Sequence, residues 1–176
     1  MSYILTLIPC TVFIALVAIK KKNMLYIMGD LLLMGYLTFT LYYITEIATM
    51  QNILTGPEGP VNLHLFDSEG ISTYVLNVLL FMPLGFLLPT LYKELRHCII
   101  TCAAGLSFSA CIECLQLFNH RVTDIEDLIT NTLGTLLGYV LFKLFAKAFD
   151  EDPPKTLFAE PIIIILLSII GVVLFK

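Results

Sequence analysis

The chain has 176 residues, 58% of them apolar and 14% charged, with a formal net charge of −4 and a mean hydropathy of +0.90. A soluble domain is nearer half apolar and about a quarter charged, so a water-soluble globule is excluded and a membrane protein is expected. The sequence has no wide basic patch, glycine-rich phosphate loop or dinucleotide fingerprint, which argues against nucleic-acid enzymes and nucleotide-driven pumps.

Crossing the hydrocarbon core takes roughly 17–25 apolar residues. Six stretches of about that length follow in chain order, at residues 3–19, 24–48, 72–92, 98–118, 126–145 and 161–175. The expected fold class is all-α, a single polytopic helical bundle over residues 1–176 with six spans, or five if the short last stretch lies against the bilayer. Lys20, Lys21 and Lys22 follow the first stretch, whereas a cleaved signal would carry its basic residues in front; that span is expected to be retained. The five cysteines, Cys10, Cys98, Cys102, Cys111 and Cys114, all fall within spans, where a thiol packs as a small hydrophobe.

Three basic groups fall in alternate connections: the lysines at 20–22, Lys93 with Arg96, and Lys143, Lys147 and Lys155. The positive-inside rule assigns all three to the cytoplasm and places the N-terminus outside. Residues 49–71, with Glu58, Asp67 and Glu69 and no basic residue, then face outward. Gly56, Pro57, Gly59 and Pro60 make that loop turn-rich and able to fold back as a lid. Tyr36, Tyr42 and Tyr43 fit an interfacial aromatic belt. Pro83 is expected to kink the third span, and Pro153 and Pro154 mark residues 150–160 as a cytoplasmic linker to the last one.

Residues 111–134 interrupt this apolar background with four carboxylates, one arginine and three amides. At 3.6 residues per turn, Gly105, Ser109, Glu113, Gln116 and His120 share a face of the fourth span. Asp124, Asp127, Asn131, Gly134 and Gly138 share a face of the fifth, and the small residues let a neighbour approach closely. At about 1.5 Å per residue, Asn77, Glu113 and Asn131 lie at one depth, roughly 7 Å below the outer ends of their helices. Ionisable groups inside spans face the protein interior or a watery cavity. An outward-facing pocket walled by Asn77, Glu113, Gln116, Arg121, Asp124, Asp127 and Asn131 is expected, the plainer reading being an interhelical network that only fixes packing.

The runs "NVLLFMPLGFLLP" from Asn77, "SACIECLQ" from Ser109 and "RVTDIEDLITNTLGTLLGY" from Arg121 resemble the VanZ-like family of bacterial membrane proteins, over a core at residues 62–139. The family's Asn-Leu-x-Pro-Phe loop reads Asn62-Leu63-His64-Leu65-Phe66 here, leucine standing for proline. The resemblance implies a multi-pass protein of the bacterial cytoplasmic membrane acting at the cell envelope, in the context of resistance to teicoplanin, a lipid-tailed glycopeptide.

Two activities fit the residue types. A non-enzymatic factor would bind a membrane lipid or lipid-linked cell-wall precursor in the outer leaflet, Arg121 taking a phosphate and Asn77, Ser109, Gln116 and Asn131 reading polar substituents. Alternatively, an intramembrane enzyme would act on a lipid-linked phosphate or sugar, with Glu113, Asp124 and Asp127 as general base or ligands of a divalent cation such as Mg²⁺. A transporter is disfavoured, because no chain of acids joins the two membrane faces and no inverted repeat is visible. On one helix the Cys98/Cys102 and Cys111/Cys114 pairs are centred about 19 Å apart, too far for one zinc site.

Overall fold

The computed structural model describes residues 2–21, 23–63, 70–146 and 159–176. Residues 64–69 and most of the linker at 150–160 lie outside that set. Helices form at all six apolar stretches: α1 (Ser2–Lys21), α2 (Met24–Phe39), α4 (Ile71–Leu91), α5 (Cys98–Gln116), α6 (Ile125–Phe145) and α7 (Glu160–Phe175), with a short α3 (Met50–Thr55) between α2 and α4. With their terminal turns, four are long and apolar enough to cross a membrane: Met24–Ile44, Ile71–Leu91, Cys98–Asn119 and Ile125–Phe145. The apolar helices Tyr3–Ile19 and Glu160–Phe175 are shorter. One feature is not helical. The two-residue strands β1 (Val61–Asn62) and β2 (Thr123–Asp124) pair in parallel, Val61 opposite Thr123 and Asn62 opposite Asp124.

The bundle is organised by close helix crossings. In lipid no hydrophobic force draws helices together, so association depends on packing and interhelical hydrogen bonds, which small residues permit. Helix α6 lies between α4 and α5. A methyl group on Gly134 would strike the carbonyl oxygen of Val78, one on Gly138 that of Met82, and one on Gly85 that of Thr135. The glycine stripe expected to meet a neighbour therefore meets α4. On the other flank Gly105 of α5 admits the Thr135 side chain. Helices α1 and α7 form a second layer, where Gly171 sits against the Thr6 carbonyl and the Cys10 thiol bonds Ile164 O and Ser168 Oγ, each at 3.4 Å. Helix α2 and the turn that continues it join the layers through buried Leu33, Leu37 and Leu41, with Phe81, Leu84 and Leu88 completing the apolar centre.

Several local expectations change. The Tyr36 hydroxyl turns into the bundle and donates to Leu80 O at 2.6 Å, so Tyr36 ties α2 to α4, while Tyr42 and Tyr43 cluster with Tyr3. Of the cysteines Cys10 is the packed one; Cys111 and Cys114 are exposed on α5. The C-terminal end of α2 widens into a π-turn (Thr40–Ile44), after which Glu46 adopts a left-handed backbone, φ 48°. A left-handed non-glycine residue needs support from its surroundings, and the α5–α6 connection supplies it.

Candidate functional site

That connection runs through a short 3-10 turn (Leu117–Asn119), left-handed His120 at φ 56°, Arg121 and β2. Three of its side chains hold the end of α2. Gln116 Nε2 donates to Thr45 O at 2.8 Å, Asn119 Nδ2 to Glu46 O at 2.6 Å, and Arg121 Nη1 to the Glu46 carboxylate at 3.2 Å. Both partners in the arginine pair are about half exposed, at 46% and 59%. Arg121 thus lies at the rim instead of turning inward among the buried groups. Lys176, its ammonium over the Tyr42 ring, sits within electrostatic reach of both. Burial, the largest influence, lowers its pKa from the usual lysine value; Glu46 opposes that and Arg121 adds to it.

Below the rim, Asp124 organises the start of α6. Its Oδ1 accepts from Glu126 N at 2.9 Å, capping the helix, and its Oδ2 accepts from Asn62 Nδ2 at 2.9 Å. Its own N–H donates to Glu113 Oε2 at 3.0 Å. One turn deeper the polar groups of α6 divide between its neighbours. Toward α4, Asn77 Nδ2 donates to Asp127 Oδ1 at 2.6 Å and the Tyr74 hydroxyl to Glu126 Oε2 at 2.5 Å. Toward α5, Asn131 Nδ2 donates to Ser109 Oγ at 2.9 Å.

Gln116 turns to Thr45 O at the end of α2, and six of the eight residues expected from sequence, Asn77, Ser109, Glu113, Asp124, Asp127 and Asn131, meet where α4, α5 and α6 converge beneath the rim. They form two seams, one on each side of α6, and not a single open wall. The arrangement is closed: Glu113, Gln116, Asp124 and Asn131 are each 5% exposed or less. Residues 58–62 are tied to the connection above it, with Glu58 N and Gly59 N donating to Leu117 O at 3.0 and 2.8 Å, and Thr123 N donating to Pro60 O at 3.0 Å. Buried Gln116 Oε1 and Asn131 Oδ1 have no hydrogen-bond partner, which in an apolar surround is costly. Among the described residues no three His, Cys, Asp or Glu side chains come together as a metal-ligand set.

Sequence reasoning passed over Glu46, Asn119, Lys176, Tyr74 and Glu126. Glu126 begins the expected fifth span, yet it is completely buried. Asn62 did carry a signal, as the first residue of the family-like loop run.

A helical membrane protein, with polar side chains collected at one end of three closely packed helices, is the class this fold and site define. The chain belongs to the VanZ/LLP1 family, whose profile matches residues 4–146 and so takes in α1 and α2 as well as the motif-bearing core. It is similar to Protein VanZ of Enterococcus faecium, 33% identical over 132 residues, or 70% of this chain and 81% of that protein. No solved structure matches it.

Proposed function

We propose that this protein is a six-span member of the bacterial cytoplasmic membrane, N-terminus outside, that binds a lipid or lipid-linked phosphate from the outer leaflet. By occupying or retaining such lipids it would reduce susceptibility to lipid-tailed glycopeptides of the teicoplanin type. The observation that carries this reading is the pairing of a half-exposed cationic rim with buried hydrogen-bonding groups directly beneath it. Arg121 and Lys176 flank one carboxylate, Glu46, at the rim. An exposed ion pair contributes no more than about 1 kcal/mol, so a phosphate with several charge-assisted bonds can displace Glu46 from Arg121. Below, the unpartnered oxygens of Gln116 and Asn131 suit a ligand's hydroxyl or ammonium donors.

The six-span count is supported by the antiparallel α1–α7 contacts, which bring Thr6 against Gly171 and Cys10 against Ile164. The orientation rests on charge: Lys93, Arg96 and Lys143 share one end, where the Tyr139 hydroxyl bonds Arg96 O at 2.9 Å and Lys143 lies over the Tyr139 ring.

The test is capture of lipid in nanodiscs containing undecaprenyl phosphate among neutral lipids. Wild type is expected to retain it and Arg121→Ala to lose most of it; equal retention by both removes the assignment. Consumption of the lipid by wild type and not by Glu113→Gln would replace binding with catalysis.

A further inference from the structure

The buried groups are closed off, and the segment bonded to the connection above them is weakly attached. Residues 56–63 carry two large apolar side chains, Val61 and Leu63, and both point outward, 56% and 70% exposed. This segment therefore contributes nothing to the apolar core, the usual signature of a low-stability element. Its described attachments are polar: the Glu58 and Gly59 amides on Leu117 O, Pro60 O on the Thr123 amide, the two-residue pairing of β1 with β2, Asn62 on Asp124, and an exposed His120–Glu58 pair at 3.1 Å. Every one can be exchanged for water. At its start Gly56 holds φ 97° with nothing within 4 Å of a side-chain position, a backbone state glycine adopts freely. Gly59, by contrast, is seated so closely that a methyl group would meet the Arg121 carbonyl oxygen and lie 3.0 Å from Leu117 O.

We propose that residues 56–63 are a lid, hinged at Gly56 and latched by Asn62 on Asp124, and that access to Glu113 and Asp124 from outside requires it to lift. The proposal rests on the binding reading only for its purpose. The opening itself is a property of the protein without ligand.

Because Val61 and Thr123 are paired across the parallel bridge, and adjacent strands stand about 4.8 Å apart, cysteines at these two positions fall within disulfide reach. The experiment uses Val61→Cys/Thr123→Cys with the five native cysteines changed to alanine, in nanodiscs without added ligand. A water-soluble carbodiimide with an amine labels accessible carboxylates, and mass spectrometry reads Glu113 and Asp124. The oxidised protein is expected to protect both, and reduction to restore labelling to the unlocked rate. Equal labelling when oxidised and reduced overturns the proposal, since access then takes another path; no labelling in either state overturns it too, since the latch then never opens. Gly59→Ala, which unseats the lid, should label at least about tenfold faster than its parent, the equivalent of one lost decade in the closing equilibrium. If that variant does not accumulate, the oxidised-to-reduced comparison decides alone. Failure of phosphate binding in Arg121→Ala leaves these outcomes unchanged, so the two ideas fall separately.

Discussion

Substituting Gly138 by alanine tests whether backbone contact between α4 and α6 sets the bundle. The new methyl group would meet Met82 O, with the Met82 carbonyl carbon and the Phe86 nitrogen both at 2.9 Å, against an ordinary contact of 3.4–4 Å. All three obstacles are backbone, so no side chain can swing aside and the helices must part by at least about 0.5 Å at that level. Overpacking of this kind costs about 1–3 kcal/mol, and alanine's better helix propensity returns about 0.5–1. A net loss of about 0.5–2 kcal/mol is expected. Gly35 of α2 has nothing within 4 Å, so Gly35→Ala should be neutral or stabilising by up to about 1 kcal/mol. Both can be measured by SDS-driven unfolding in mixed micelles, followed by circular dichroism. If Gly138→Ala stays within about 0.5 kcal/mol of wild type, or if Gly35→Ala destabilises as much, the close-crossing argument is wrong.

A double-mutant cycle on Asn77→Ala and Asp127→Ala should give a coupling of about 0.6–1.7 kcal/mol in the same unfolding assay, the range found for interhelical polar pairs; additivity would mean that the bond contributes nothing. Glu46→Gln releases Arg121 from its rim partner and should strengthen phosphate-lipid retention by up to about fivefold, the converse of Arg121→Ala. For orientation, Glu58→Cys in a cysteine-free background should react with an impermeant maleimide on intact cells and Glu94→Cys only after permeabilisation; the reverse pattern inverts the topology.

The helices were legible because crossing a bilayer imposes length and apolarity directly on the sequence. Residues 98–118 and α5, or 126–145 and α6, differ by a residue or two at their ends. The glycine face was legible for a similar reason, since Gly134 and Gly138 repeat at helical spacing. What periodicity missed was the number of neighbours. Helix α6 is contacted on two flanks, so Glu126, about 100° around the helix from Asp127, joins it in bonding α4, through Tyr74 and Asn77, while Asn131 one turn on serves α5. The partner of Arg121 was not legible, because Glu46 lies 75 residues earlier in a left-handed turn that hydropathy does not signal. The β1–β2 pairing was invisible too, because two residues carry too little alternation to announce a strand.

Thr135 touches both flanks of α6, and its two contacts differ in kind. Toward Gly85 it presents its carbonyl oxygen, whereas toward Gly105 it presents Oγ1, Cγ2 and Cβ. Trimming this threonine to alanine would remove Oγ1 and Cγ2 but leave its Cβ 2.8 Å from a methyl group at 105, still too close, and would change nothing at 85. Only glycine at 135 opens the α5 side, so one seam can drift through a second glycine while the other is frozen by main chain, and the spacing of α4 from α6 is the less negotiable dimension of the bundle.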